Sequence, residues 1–226
     1  MNMKNKDYYT LSPSTLNILE DCPRCFWLHF NENIRRPTFP FPSLPSGIDR
    51  VLKDYYDSYR AKKKLPPELE ELRGAKLYDD VEKLDEWRSF GKGLRWKDKK
   101  NNIIRGTIDD LLEKDGKLIV VDYKTRGFPL KEDTADYYKM QLHMYNFLLE
   151  KNGQKTHDYS YLIFYRPEKV RKSRIITFNT DLVKVETSAK DAEKFLKKAL
   201  KTLKGDMPER SEECGYCKWA EENKTF

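Results

Sequence analysis

The chain has no apolar run approaching the roughly 20 residues that a membrane-spanning helix needs. Its opening stretch, Met1–Tyr9, is polar and lacks the apolar segment of a secretory leader. Both absences predict a cytoplasmic protein. Cysteine is scarce, with four in 226 residues, too few for a disulfide-stapled scaffold of this length. Internal repeats and low-complexity tracts are also missing, which argues against solenoids and disordered arrays. What remains is a charged chain, 36% Asp, Glu, Lys and Arg with a net charge of +7. It is long enough to bury a real core as one domain, or one with a small appendage.

The most informative segment is a hairpin. Ile103–Glu113 and Lys117–Lys124 read as strands on either side of Asp115-Gly116, a strong two-residue turn signal. With that turn Lys114 faces Lys117, and Asp109 falls opposite Asp122. Opposed residues share a face, with Cβ atoms about 4.5–5.5 Å apart. Strand alternation puts Asp122 and Lys124 on that face too, sends Tyr123 to the other, and excludes Asp110. Leu118–Val121 is too apolar for a strand bathed in solvent, so three polar residues at its end suggest a site. Two carboxylates and an ammonium on one patch suit a divalent cation such as Mg²⁺, which takes one or two carboxylates and keeps several waters.

The four cysteines form two Cys-x-x-Cys pairs, Cys22/Cys25 and Cys214/Cys217. In a cytoplasmic chain this spacing predicts metal ligation rather than disulfides. A tetrahedral zinc site and an iron–sulfur cluster each need four such ligands. Either would fasten the early and late segments together. Basic residues are clustered as well. Lys92, Arg95, Lys97, Lys99, Lys100 and Arg105 precede the Asp109 strand, and Arg166, Lys169, Arg171, Lys172 and Arg174 lie between two later strands. Such clusters would suit phosphate contacts.

Ser12-Pro13-Ser14 predicts a helix start, and the helix continues through the first cysteine pair to Phe30. Pro37–Pro45 reads as a proline-rich connector bearing Phe39 and Phe41. A helix is expected over Gly47–Arg60, and a polar helical stretch from Pro66-Pro67 to about Trp87. After the hairpin come a helix over Thr134–Asn152, strands at Tyr159–Tyr165 and Arg174–Asn179, and a helix over Ser188–Leu203. This order predicts an α/β core with a mainly mixed sheet.

Three motifs, in order, resemble the PD-(D/E)XK nuclease superfamily, and specifically its RecB-like branch with the CRISPR-associated exonucleases of that type. Gly106-Thr107-Ile108-Asp109 is similar to the Gly-x-x-Asp strand, Asp122-Tyr123-Lys124-Thr125 to the Asp-Tyr-Lys-Thr motif, and Gln141 through Tyr145 to the Gln-x-x-x-Tyr helix motif. The resemblance spans about Ser12 to Cys217. It implies a restriction-endonuclease-like core, a central mixed sheet flanked by helices, with a four-cysteine metal clasp joining the chain ends. Residues 1–226 would form a single nuclease domain, with 12–36 and 205–219 as the clasp subregion.

The resemblance further implies a Mg²⁺- or Mn²⁺-dependent deoxyribonuclease, acting as an exonuclease on single-stranded DNA or free DNA ends. Asp109, Asp122 and the Tyr123 backbone carbonyl would hold the metal, Lys124 would act on the attacking water, and Gln141 and Tyr145 would support the site. Where the family carries a histidine on the preceding helix, this chain has none, and Asp49 takes the position as an implied ligand. Relatives divide their clasp cysteines one and three, whereas this chain divides them two and two, so a 4Fe-4S cluster and zinc both stay open. The alternative is a silent nucleic-acid-binding module, or an accessory subunit with a protein partner in a DNA repair or CRISPR adaptation complex.

Overall fold

The computed structural model describes residues 8–37 and 43–223, without the side chain of Ser173. The polar segment up to Asp7 and most of the Pro37–Pro45 connector, with Phe39 and Phe41, lie outside the described residues. In chain order the early elements are β1 (Thr10–Leu11), α1 (Pro13–Asp21), α2 (Pro23–Asn31), α3 (Ser43–Ala61), β2 (Lys76–Leu77), α4 (Val81–Arg88), β3 (Leu94–Lys97) and β4 (Ile103–Gly106). The later ones are β5 (Asp110–Lys114), β6 (Lys117–Thr125), α5 (Asp136–Lys151), β7 (Tyr159–Arg171), β8 (Ile175–Glu186), α6 (Ala189–Lys204) and α7 (Gly215–Glu222). They fall into two compact units. One comprises Met1–Phe41, Arg95–Arg105 and Lys190–Phe226; the other comprises Pro42–Leu94 and Gly106–Ala189.

The first unit gathers the early and late segments around a small sheet of order β1-β4-β3, with β1 parallel to β4. Ser12 starts α1 as its composition predicts: its hydroxyl accepts from Thr15 N–H, its own N–H donates to Thr15 Oγ1, and Pro13 follows. The single helix expected through the cysteine pair is in fact two. Cys22 is extended (φ −161°, ψ 115°) and serves as the last cap of α1 and the first of α2. The physical reason is Pro23, whose ring disfavours helical geometry at the residue before it. The amphipathic α6 buries Ala192, Leu196, Ala199 and Leu203, and its end is tied down by the Trp27 indole, which donates to the Gly205 carbonyl at 3.0 Å.

The second unit is built on a mixed sheet of order β2-β5-β6-β7-β8. The hairpin β5–β6 turns on Asp115-Gly116, both at positive φ (50° and 70°), with Lys114 paired to Lys117 and Asp110 to Val121. That is the two-residue turn and the register predicted from sequence. β6 and β7 are parallel, joined by the crossover helix α5, the connection a parallel pair requires. Alternation along β6 splits its side chains. Ile119, Val121 and Tyr123 join the core of Leu52 and Tyr56 from α3, while Asp122 and Lys124 leave on the opposite face.

Three further expectations change. The polar helix read over Pro66–Trp87 is a single tight turn at Pro67–Leu69, the short strand β2, and α4. Gly74 at φ 77° breaks any continuous helix, and Lys76-Leu77 pair with β5 instead. The strand read over Ile103–Glu113 is interrupted between Gly106 and Asp110. The strand read at Arg174–Asn179 is the first half of β8, a long hairpin arm that pairs with β7 from Arg171/Ile175 to Tyr159/Glu186.

Candidate functional site

In the second unit the hydrogen-bonded ladder of the hairpin ends at Asp110–Val121, and Asp109 continues it with its side chain: Tyr123 N–H donates to Asp109 Oδ2 at 2.9 Å. Asp122 follows on the same face, almost fully buried, its Oδ2 in an ion pair with the Lys124 ammonium. Lys124 Nζ also donates to Gln141 Oε1 at 3.2 Å and lies 4.7 Å from the centre of the Tyr138 ring. Gln141 Nε2 donates in turn to the Tyr145 hydroxyl at 2.7 Å, across one turn of α5. Gly106 lets that turn come close. A Cβ there would sit 3.1 Å from Tyr145 Cε1 and 3.2 Å from Leu148 Cδ1.

Asp49, in the second turn of α3, reaches the same place through a residue that spacing alone did not single out. Lys53 Nζ lies 2.8 Å from Asp49 Oδ2 and 3.5 Å from Asp109 Oδ1. The fold therefore brings together Asp49, Asp109, Asp122, Lys124, Gln141 and Tyr145. Tyr123 lends its backbone, while its side chain turns to the other face. The signal for Lys53 was present, since Asp49 and Lys53 are four apart on one helix, but its reach to Asp109 depends on how α3 lies on the sheet.

Burial, with the Asp122 carboxylate second, pushes the Asp109 carboxyl up to about 7. Burial works against the Lys124 ammonium, yet Asp122 and Asp109 outweigh it and hold Lys124 above its ordinary value. Burial likewise drives the Tyr145 hydroxyl well upward, reinforced by the two acids. So the site keeps a charged lysine and an acid that protonates near neutrality. The excess of carboxylates over cations is what a bound divalent ion relieves, and the oxygen donors suit Mg²⁺ or Mn²⁺.

On the reverse face the sheet keeps a second, closed charge cluster. Asp110, fully buried, accepts from Arg60 (2.6 Å), Arg88 (2.9 Å) and the Tyr123 hydroxyl (2.7 Å). Arg88 also grips Asp57 at 2.8 Å and donates from Nε to the Asp109 carbonyl at 2.8 Å. The Leu111 N–H donates as a fourth partner at 2.7 Å, so each carboxylate oxygen accepts two bonds and Asp110 has no lone pair to spare for a metal. Adjacent aspartates thus have opposite roles, one built in and one left open. The arginines of this cluster lie far off in sequence and were not foreseen.

In the first unit all four cysteines are buried and their sulfurs lie within 4.8 Å of one another. The Cys25 thiol is pushed up to about 11 by burial, and Cys217 rises for the same reason. Burial opposes the ionisation of Cys22 as well, but the backbone amides of Cys25 and Ser211 outweigh it and bring the thiol down to about 7. Burial thus holds Cys25 and Cys217 as thiols, and all four would ionise together only around a cation. Beside Cys25 the Arg36 guanidinium adds positive charge, and its buried Nε has no hydrogen-bond partner. These donors fit a thiolate-bound metal centre that joins the early and late segments.

No helix among the described residues is long and apolar enough to cross a membrane. A search among curated proteins gives no match. The family model of the PD-(D/E)XK nuclease superfamily matches residues 10–221, a span that holds both acids, the lysine and all four cysteines. A mixed sheet flanked by helices, a hairpin presenting Asp109 and Asp122-Tyr123-Lys124 on one face, and this match together show that the chain belongs to the PD-(D/E)XK nuclease superfamily.

Proposed function

We propose that the chain is a Mg²⁺- or Mn²⁺-dependent deoxyribonuclease that acts as an exonuclease on single-stranded DNA or free DNA ends. The observation that carries this is the asymmetry between neighbouring acids: Asp110 is saturated by two arginines, a tyrosine and the Leu111 amide, whereas Asp109 and Asp122 share one face with Lys124. Asp109, Asp122 and the Tyr123 carbonyl would hold the ion, with Asp49 as a further ligand. When bound, the ion lowers the pKa of its water and offsets charge on the scissile phosphate. Lys124, kept protonated by the two acids, orients the attacking water and stabilises charge growing on the phosphoryl oxygens. Gln141 holds Lys124 in place and is itself braced by Tyr145. Exposed Arg171, Lys172 and Arg174 at the tip of the β7–β8 hairpin supply charge for the DNA backbone. Labelled single-stranded and double-stranded DNA, incubated with Mn²⁺ or Mg²⁺, tests the proposal. Shortening from one end of single strands is expected; uncut DNA with both ions would overturn it.

A second reading has one observation in its favour. Lys53 already bridges Asp49 and Asp109, so the protein supplies a cation of its own where a metal would bind, as a silent DNA-binding module or accessory subunit would. Calorimetry separates the two. A nuclease should bind Mn²⁺ and do so more tightly as Lys53→Met, whereas a silent module should bind DNA but no ion in the parent protein.

A further inference from the structure

The spacing of the four sulfurs narrows what they hold. Cys25 Sγ lies 3.5 Å from both Cys214 Sγ and Cys217 Sγ, and Cys22 Sγ lies 3.8 Å from Cys217 Sγ. No separation in the set exceeds 4.8 Å. These distances are far beyond the roughly 2.05 Å of a disulfide. They fit one ion at the centre of a tetrahedron, because ligands about 2.3 Å from a zinc ion stand about 3.8 Å from each other. A four-iron cubane has a different footprint. Each cysteine sulfur lies outside its own iron, so neighbouring sulfurs stand about 6 Å apart. A two-iron cluster likewise separates the sulfurs on its opposite irons by more than about 5 Å.

Expansion to that size is resisted by the backbone. Cys22 is pinned between α1 and α2, its sulfur accepting from Ser211 N–H at 3.4 Å. Cys214 caps α7, and Cys217 lies in the first turn of that helix. Each pair is therefore fixed at a helix start, and admitting a cubane would require the two pairs to move apart.

We propose that Cys22, Cys25, Cys214 and Cys217 hold a single zinc ion rather than an iron–sulfur cluster. Thiolates bind zinc more tightly than ferrous iron, and four protein ligands close the coordination sphere, leaving no position for water or substrate. The centre is structural and takes no part in electron transfer. The assignment stands apart from the nuclease reading, since it concerns a different set of residues.

The test uses the intact protein, purified without oxygen from cells supplied with both zinc and iron, and measures bound metal, acid-labile sulfide and visible absorption. One zinc per chain, no sulfide and a colourless solution are expected. Exchange for Co²⁺ should then give the intense visible bands of a tetrahedral tetrathiolate. Iron with sulfide and a brown colour would overturn the proposal. So would a single iron without sulfide, or four thiols that titrate freely in folded, metal-free protein.

Discussion

Asp109 and Asp110 are consecutive, of one residue type, and have opposite fates because a strand alternates. On the proposed reading Asp122→Ala deletes a metal ligand and should remove cleavage below detection with the fold kept, although it also strips the buried Lys124 ammonium of its ion-pair partner and so should lower thermal stability. Lys124→Ala should lower kcat by roughly 10²–10³-fold, the usual loss for a single charge-stabilising group, with Mn²⁺ binding kept in calorimetry. Normal activity in either variant would contradict the assigned roles. Asp109 adds a pH dependence. Burial raises it to about 7, above the roughly 3.9 of aspartate in an unfolded chain. The folded protein therefore holds a proton that the unfolded chain has released. This group's contribution to stability is complete below about pH 4 and is lost as pH climbs to about 7. The same proton competes with metal, so Mn²⁺ affinity should strengthen as pH passes through about 7 and level off above it.

At the scale of elements, the hairpin β5–β6 depends on the charge cluster behind it. Asp110→Ala leaves buried Arg60 and Arg88 with only the half-exposed Asp57 as an acidic partner and should cost about 3–5 kcal/mol of stability, read by chemical denaturation; a loss under about 1 kcal/mol would mean that the cluster is not closed as described. The hairpin was legible in the sequence because one turn signal and a period of two fix both register and face. Gln141 and Tyr145 were legible only through the resemblance of their segment to a family motif; helical spacing then puts them one turn apart on one face. Lys53, Arg60 and Arg88 were not, because each meets its aspartate only after helices have docked on the sheet. The false helix over Pro66–Trp87 came from reading polar composition as periodicity, where Gly74 and the edge pairing of Lys76-Leu77 decided the outcome. The outer half of β7, from Arg166 to Arg171, hid behind its charges. Two antiparallel arms satisfy each other's backbone and need no apolar face to extend.

Across the whole molecule, the first unit is assembled from three separated stretches and the second from two, so each unit is closed by contacts between residues distant in sequence. The cysteine centre joins the first of the three stretches of the first unit to the last. Stripping its metal with a strong thiol-competing chelator should lower the melting temperature and expose all four thiols to titration together, since ion binding and local folding are one event. Thiols that appear one by one at an unchanged melting temperature would show that the centre does not fasten the segments.

Cys25 precedes Cys214 by 189 residues. At ribosomal rates of about 5–20 residues per second, the first two thiols wait on the order of 10–40 s for their partners to be made. During that interval they form half a site, open to oxidation or to capture of the wrong metal. If the cysteines hold the zinc proposed above, reduced surroundings and a ready supply of free ion are demands that the architecture places on the cell while the protein is still being synthesised.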